Sequence, residues 1–161
     1  MCPESDPRGA PPELPAGAPG PSGPGEPGQS GGPERRLRFL RHHRIVTGAH
    51  FQRAYKTGSR ARGDLLIVVA VPNGLEHPRL GLSVGKRIWK SAVKRNRVRR
   101  IFRESFRLQQ HELPAGFDLV LIPAAPALEP ALAATEDELV RLAKKAAERY
   151  RSRAEEQASR P

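Results

Sequence analysis

The 161-residue chain has a single cysteine, Cys2. That excludes an intrachain disulfide framework and a cysteine-based zinc site. No apolar run approaches the ~18 residues of a membrane span. The N-terminus has no basic start followed by an apolar core, so a secretory signal is not expected. A soluble, cytoplasmic protein without a membrane partner follows as the expectation. Acids are also scarce, with 17 Asp and Glu against 28 Lys and Arg, a net charge of +11. Residues 1–33 hold four acids and one Arg, so the remainder has 27 basic and 13 acidic residues, a net +14. The positive charge therefore belongs to the folded part, and its natural partner is a polyanion.

Residues 1–33 contain ten of the seventeen prolines and eight of the fifteen glycines, and Leu14 is their only large aliphatic residue apart from Met1. Such a segment buries too little apolar surface to offset ordering entropy, so residues 1–35 are expected to be a disordered tail. A folded domain is expected over 36–152, and a short charged tail over 153–161. Within the domain, Thr47 and Gly58 bracket a short helix with Phe51, Ala54 and Tyr55 on one face. "DLLIVVAV" (64–71) reads as a well-covered strand and "PNG" (72–74) as a turn. "RLGLSV" (79–84) alternates, and is expected to pair antiparallel with the first strand. A helix runs to about Gln110, ended by Pro114 and Gly116, and "FDLVLI" (117–122) is another strand. Pro123, Pro126 and Pro130 rule out helix directly after it. Thr135 and Glu138 read as a capping box opening a last helix to about Arg151. The order of helix, two or three strands, helix, strand and helix makes a small α+β domain.

The stretch "KSAVKRNRVRRIFRESFR" (90–107) crowds eight Lys and Arg against one acid, Glu104. On a helical wheel Val98, Ile101, Phe102 and Phe106 form a buried face. Asn96, Arg99, Arg100, Arg103 and Arg107 lie opposite. The basic residues at 95, 99, 103 and 107 are spaced by four, and like-charge i,i+4 pairs oppose an isolated helix by a few tenths of a kcal/mol each. A merely solvated face interleaves Glu to relieve this. Phosphates would supply the missing negative charge here, and arginine suits bidentate phosphate contact. Lys86, Arg87 and Lys90 extend the positive surface to the preceding corner.

A strand, not a helix with a short turn, precedes this segment, so a DNA-reading helix-turn-helix is not expected. Phe51 and Tyr55 are candidates for stacking unpaired bases, with core packing as the other reading. Catalytic constellations do not stand out. Asp64, Glu104 and Asp118 are isolated, so a two-metal nuclease is disfavoured. The adjacent histidines of "RHHR" (41–44) do not share a helix face, and suit packing or RNA contact better than metal ligation. His50, His77 and His111 show no pairing signature, Ser83 and Ser91 lack a base partner, and "GLSVGK" is too short for a phosphate-cradling loop. No catalytic or metal-ligating residue is assigned to the protein.

"RNRVRRIFRESFR" (95–107), preceded by "RLGLSVGKR" (79–87), resembles the bacterial ribonuclease P protein family. The family motif, roughly Arg-Asn-x-x-Lys-Arg-x-x-Arg, is matched at Arg95, Asn96, Arg100 and Arg103, with Arg99 in the lysine place. "FQRAYKTG" (51–58) and "FRLQQHELPAGFDLVLI" (106–122) are similar too, and the resemblance covers about residues 37–152. It implies a two-layer αβββαβα domain of the ribosomal protein S5 domain 2-like type, with a left-handed βαβ crossover. It also implies a ribonucleoprotein endonuclease that removes the 5′ leader of precursor tRNA, with the active site and its Mg2+ ions held mainly by the RNA subunit. Both the catalytic RNA and precursor tRNA are implied partners.

Carried over by position, the resemblance implies RNA contact at Arg95, Asn96, Arg97, Arg99, Arg100 and Arg103. It places Phe51 and Tyr55 in a leader cleft, with Lys86 and Arg87 near it. The chain departs from the family at "IPAAPA" (122–127), which is neutral where Lys or Arg is common. Trp89 has no family role and reads as packing or stacking. A non-catalytic, ribosomal-type RNA-binding protein is the alternative that composition alone equally allows.

Overall fold

The β-rich run after Asp64 has no polar face because it is covered on both sides. In the computed structural model, which describes residues 38–87, 90–126 and 128–161, it forms β2 (Leu66–Pro72). Leu66, Val68 and Ala70 face one apolar cluster, while Val69 and Val71 face another on the opposite side of the sheet. A strand covered on both faces reads as a continuous apolar run instead of alternating. Strand β4 (Phe117–Pro123) has the same character and pairs antiparallel with β2 along its full length.

Two further strands complete a sheet of order β1-β2-β4-β3. Strand β1 (Ser59–Arg62) forms an antiparallel hairpin with β2. Its sequence, "SRAR", alternates buried Ser59 and Ala61 with exposed Arg60 and Arg62, as an edge strand does. Strand β3 (Arg79–Leu82) pairs parallel with β4. The antiparallel pairing of 79–84 with the first strand is therefore corrected, since β4 lies between β2 and β3. Apolar alternation marks a strand but carries no information about its neighbour.

The parallel β3–β4 pair is bridged by α2 (Ala92–Gln109), whose N-cap Ser91 accepts a hydrogen bond from the Lys94 amide at 3.4 Å. It packs beside α3 (Leu132–Ala158) over one sheet face. Phe102 and Phe106 are fully buried and Val98 nearly so, whereas Ile101 is only partly covered. Replacing either buried Phe by Ala costs about 3–5 kcal/mol. Short α1 (Gly48–Thr57) crosses the opposite face, with Ala54 buried and Gly58 closing it. Thr47 stands at its N-cap without a side-chain bond.

The last helix begins before the expected capping box. Its N-cap is Ala131, so Thr135 lies inside the first turns and donates to the Ala131 carbonyl at 2.6 Å. Glu138 instead reaches across to the β1–β2 turn, where Oε1 accepts the amides of Leu65 at 3.0 Å and Leu66 at 3.3 Å. Gly63 makes room, because a Cβ there would stand 1.7 Å from that oxygen. The helix continues past Arg151 to Ala158, so residues 153–158 extend it.

Asp118, wholly buried in β4, accepts from Arg79 Nε and Nη2, both at 2.7 Å, and from Asn73 Nδ2 at 3.0 Å. One carboxylate thus ties β3, β4 and the 73–77 turn together. The expected tail over 1–35, the domain start at Arg36 and Trp89 lie outside the described residues.

Candidate nucleic-acid interface

The sheet edge at β3 is where α1, α2 and the segment before α1 converge. The Ile45 amide donates to the Leu80 carbonyl at 2.9 Å, which lays Arg44 and Ile45 along β3. Phe39 packs edge-on against buried Phe106 of α2, with ring centroids 5.6 Å apart. The Arg44 guanidinium lies 5.1 Å from the centre of the Phe39 ring, a cation–π distance. These contacts close one end of a cleft of about 220 Å³. Phe51, Leu80 and Leu82 supply its apolar wall, and Arg44, Arg99 and Arg103 its cationic one.

Arg99 is fixed there by donating from Nη2 to the Val84 carbonyl at 2.9 Å. Arg103 points into the cleft, and partial burial and the charges of Arg44 and Arg99 hold its pKa below the ordinary value. Three guanidinium groups are thus held at a common site at an electrostatic cost. An anion entering the cleft removes that cost and gains charge-assisted hydrogen bonds.

The expected basic face of α2 is divided by its neighbours. Arg99 and Arg103 line the Phe51 cleft, whereas Asn96, Arg97 and Arg100 line a groove against the start of α3. Arg95 donates to the Lys90 carbonyl at 3.1 Å, at the helix start. Arg107 is engaged by Glu104, with Nε donating to Oε2 at 3.0 Å, so its charge is offset within the helix. That contact also holds the Glu104 carboxyl below the usual range. Lys86, Arg87 and Lys90 are exposed on the β3–α2 connection.

Phe51 is half-buried and lines the cleft. Tyr55, one helical turn on, is 36% exposed and does not line it. Phe39 and Arg44 are cleft residues that reading the sequence missed. The basic "RHHR" run was the available signal, but only the pairing with Leu80 places Arg44 beside α2. At the far side of that run, the rings of His42, His43 and His77 meet edge-on, with centroids 4.2–5.4 Å apart. Burial, followed by the neighbouring His42 and His77, pushes the His43 pKa down. No group of three or more His, Cys, Asp or Glu among the described residues is arranged to hold a metal ion. The neutral 122–127 segment is approached from β1, where Arg62 Nη2 lies 3.4 Å from the Ala124 carbonyl.

The chain has counterparts among known proteins in both sequence and fold. The family model for ribonuclease P matches residues 39–147. The ribonuclease P protein component of Photobacterium profundum is 46% identical over 94 residues, covering 58% of this chain and 79% of that one. That of Haemophilus influenzae is 45% identical over 87 residues, 54% of this chain and 72% of the relative. Among solved structures, the Staphylococcus aureus ribonuclease P protein aligns with a TM-score of 0.56 and 31% identity, over 65% of this chain and 94% of that one. The Thermotoga maritima protein gives 0.57 and 27%, over 63% and 96%. The matched span contains β1 to β4, α1 and α2 with all their arginines, and most of α3. With sequence and fold agreeing over that span, the chain belongs to the ribonuclease P protein family.

Proposed function

We propose that the chain is the protein subunit of a ribonuclease P whose RNA subunit performs 5′-leader removal from precursor tRNA. The observation that carries this reading is the convergence of Arg44, Arg99 and Arg103 beside Phe51. The guanidinium groups suit leader phosphates, and the half-buried ring offers a stacking surface for an unpaired base. The other side of α2, with Asn96, Arg97 and Arg100, and the exposed Lys86, Arg87 and Lys90 supply contacts to the catalytic RNA. Held by two polyanions at once, the protein would raise precursor affinity at low magnesium, acting in the cytoplasm.

The magnesium ions implied by the family do not fit a site on the described protein residues. Asp118 is engaged by Arg79 and Asn73, Glu138 by the amides of Leu65 and Leu66, and Glu104 by Arg107. The magnesium ions belong to the RNA subunit in this reading.

The test is cleavage of precursor tRNA at low magnesium by ribonuclease P RNA, with and without the full-length chain. The expected result is enhancement of RNA-dependent cleavage, with mature 5′ ends. Cleavage by the protein alone, or no enhancement, refutes the reading. Ribosomal RNA in place of the catalytic RNA as the co-purifying nucleic acid would favour a structural ribosomal role.

A further inference from the structure

Among the described residues six large hydrophobic side chains are exposed, and two of them meet at one place. Val93, near the start of α2, is 79% exposed, and Leu132, the first residue of α3, is 37% exposed. With Ile101 they wall an open groove of about 730 Å³. Asn96, Arg97 and Arg100 line the same groove. Apolar walls contribute nothing to holding a phosphate, and aligned cations contribute nothing to holding an apolar peptide. A nucleotide asks for both, with a base face to cover and a charge to neutralise.

We propose that this groove receives one unpaired base of the RNA partner. The base lies against Val93, Ile101 and Leu132, and its flanking phosphates meet Arg97 and Arg100. Asn96 donates and accepts at the base edge. The inference rests on the assignment of α2 to RNA binding, and it adds aliphatic contacts from two helices to that surface. Duplex RNA does not satisfy the groove, because its bases are stacked away and its shallow groove presents sugar and phosphate. A second copy of this chain is disfavoured by charge, at +11 per molecule. The acids at the ends of the groove do not reverse this: Glu129 adjoins one end, and Glu104 at the other is engaged by Arg107.

The test uses the full-length chain, its Val93→Ser/Leu132→Ser variant and transcribed ribonuclease P RNA, titrated over a range of salt. The double variant is expected to bind about tenfold more weakly with the same salt slope, since it removes apolar cover of the base and no phosphate contact. Arg97→Ala/Arg100→Ala should lower the slope instead. In chemical mapping of the RNA, one unpaired nucleotide protected by the wild-type chain should regain reactivity with the double variant. The melting temperature identifies a double variant that fails to fold; Val93→Ser alone, at a highly exposed position, then serves and should weaken binding a few-fold. Wild-type binding with an unchanged folded variant and unchanged protection overturns this inference alone. A wild-type chain that does not bind the RNA overturns the functional reading and this inference with it. A dimer in light scattering that the double variant abolishes assigns the groove to a second copy and also overturns it.

Discussion

The ring of Phe51 rests on the backbone of Gly81. A Cβ at position 81 would stand 2.9 Å from Phe51 Cε1 and 3.1 Å from Ile45 Cδ1. The absence of a side chain in the middle of β3 is therefore what lets the ring sink to the level of the cleft wall. Gly81→Ala should push Phe51 outward at an overpacking cost of about 1–3 kcal/mol. The expected outcome is a folded protein with reduced preference for precursor over mature tRNA, measured by competition binding. Unchanged preference together with a displaced ring would remove Phe51 from leader recognition.

Partial burial first, and then the charges of Arg44 and Arg99, oppose the charge of Arg103. Arg103→Ala should thus leave the melting temperature unchanged or raised. It should also weaken RNA binding and flatten its salt dependence by about one phosphate contact, a change of ~0.7–0.9 in slope. A lowered melting temperature would show that Arg103 supports the fold instead of the ligand.

Glu138→Ala removes the acceptor for two backbone amides at the β1–β2 turn. Each amide left buried without a partner costs about 1–3 kcal/mol. Urea unfolding should show a large loss for Ala and a smaller one for Gln, which keeps one acceptor oxygen. Equal losses for the two variants would mean that the charge, and not the hydrogen bonds, matters.

His43 is held below its ordinary value near 6.5 by burial and by His42 and His77. The unfolded chain therefore takes up this proton before the folded one does. The resulting stability is fully present above about pH 6.5 and is lost as the pH falls toward the depressed folded value. Melting temperatures should drop between pH 7.5 and 5.5, and His77→Asn should drop less, since it removes one opposing charge. An identical pH profile for that variant would locate the effect elsewhere.

The parts of the fold legible in the sequence were those set by short-range pattern. The apolar runs of β2 and β4 and the buried stripe of α2 were of this kind, as was the short α1 bracketed by Thr47 and Gly58. What was not legible depends on residues far apart. "SRAR" carries no apolar run, and forms β1 because β2 and α3 cover Ser59 and Ala61. The Thr135–Glu138 spacing has the form of a local cap, yet Glu138 serves a turn more than seventy residues earlier. For the site, the wheel gave the arginines but not their partition. Whether Arg97 and Arg99 serve the same ligand depends on where the start of α3 and the 44–45 segment lie, and neither is encoded in α2.

The position of β4 has a consequence for how the molecule is made. It is the last strand among the described residues, yet it lies inside the sheet, pairing with β2 on one side and β3 on the other. On an emerging chain the β1–β2 hairpin can close early, but β3 has no strand to join until residues 117–123 have appeared. Helix α2 precedes them, so its cationic surface leaves the ribosome before the sheet that fixes it is complete. The sequence separation of these pairings makes the closing step slow relative to the hairpin. Until β4 arrives, the apolar face of α2 with Val98, Phe102 and Phe106 has no completed sheet to pack against.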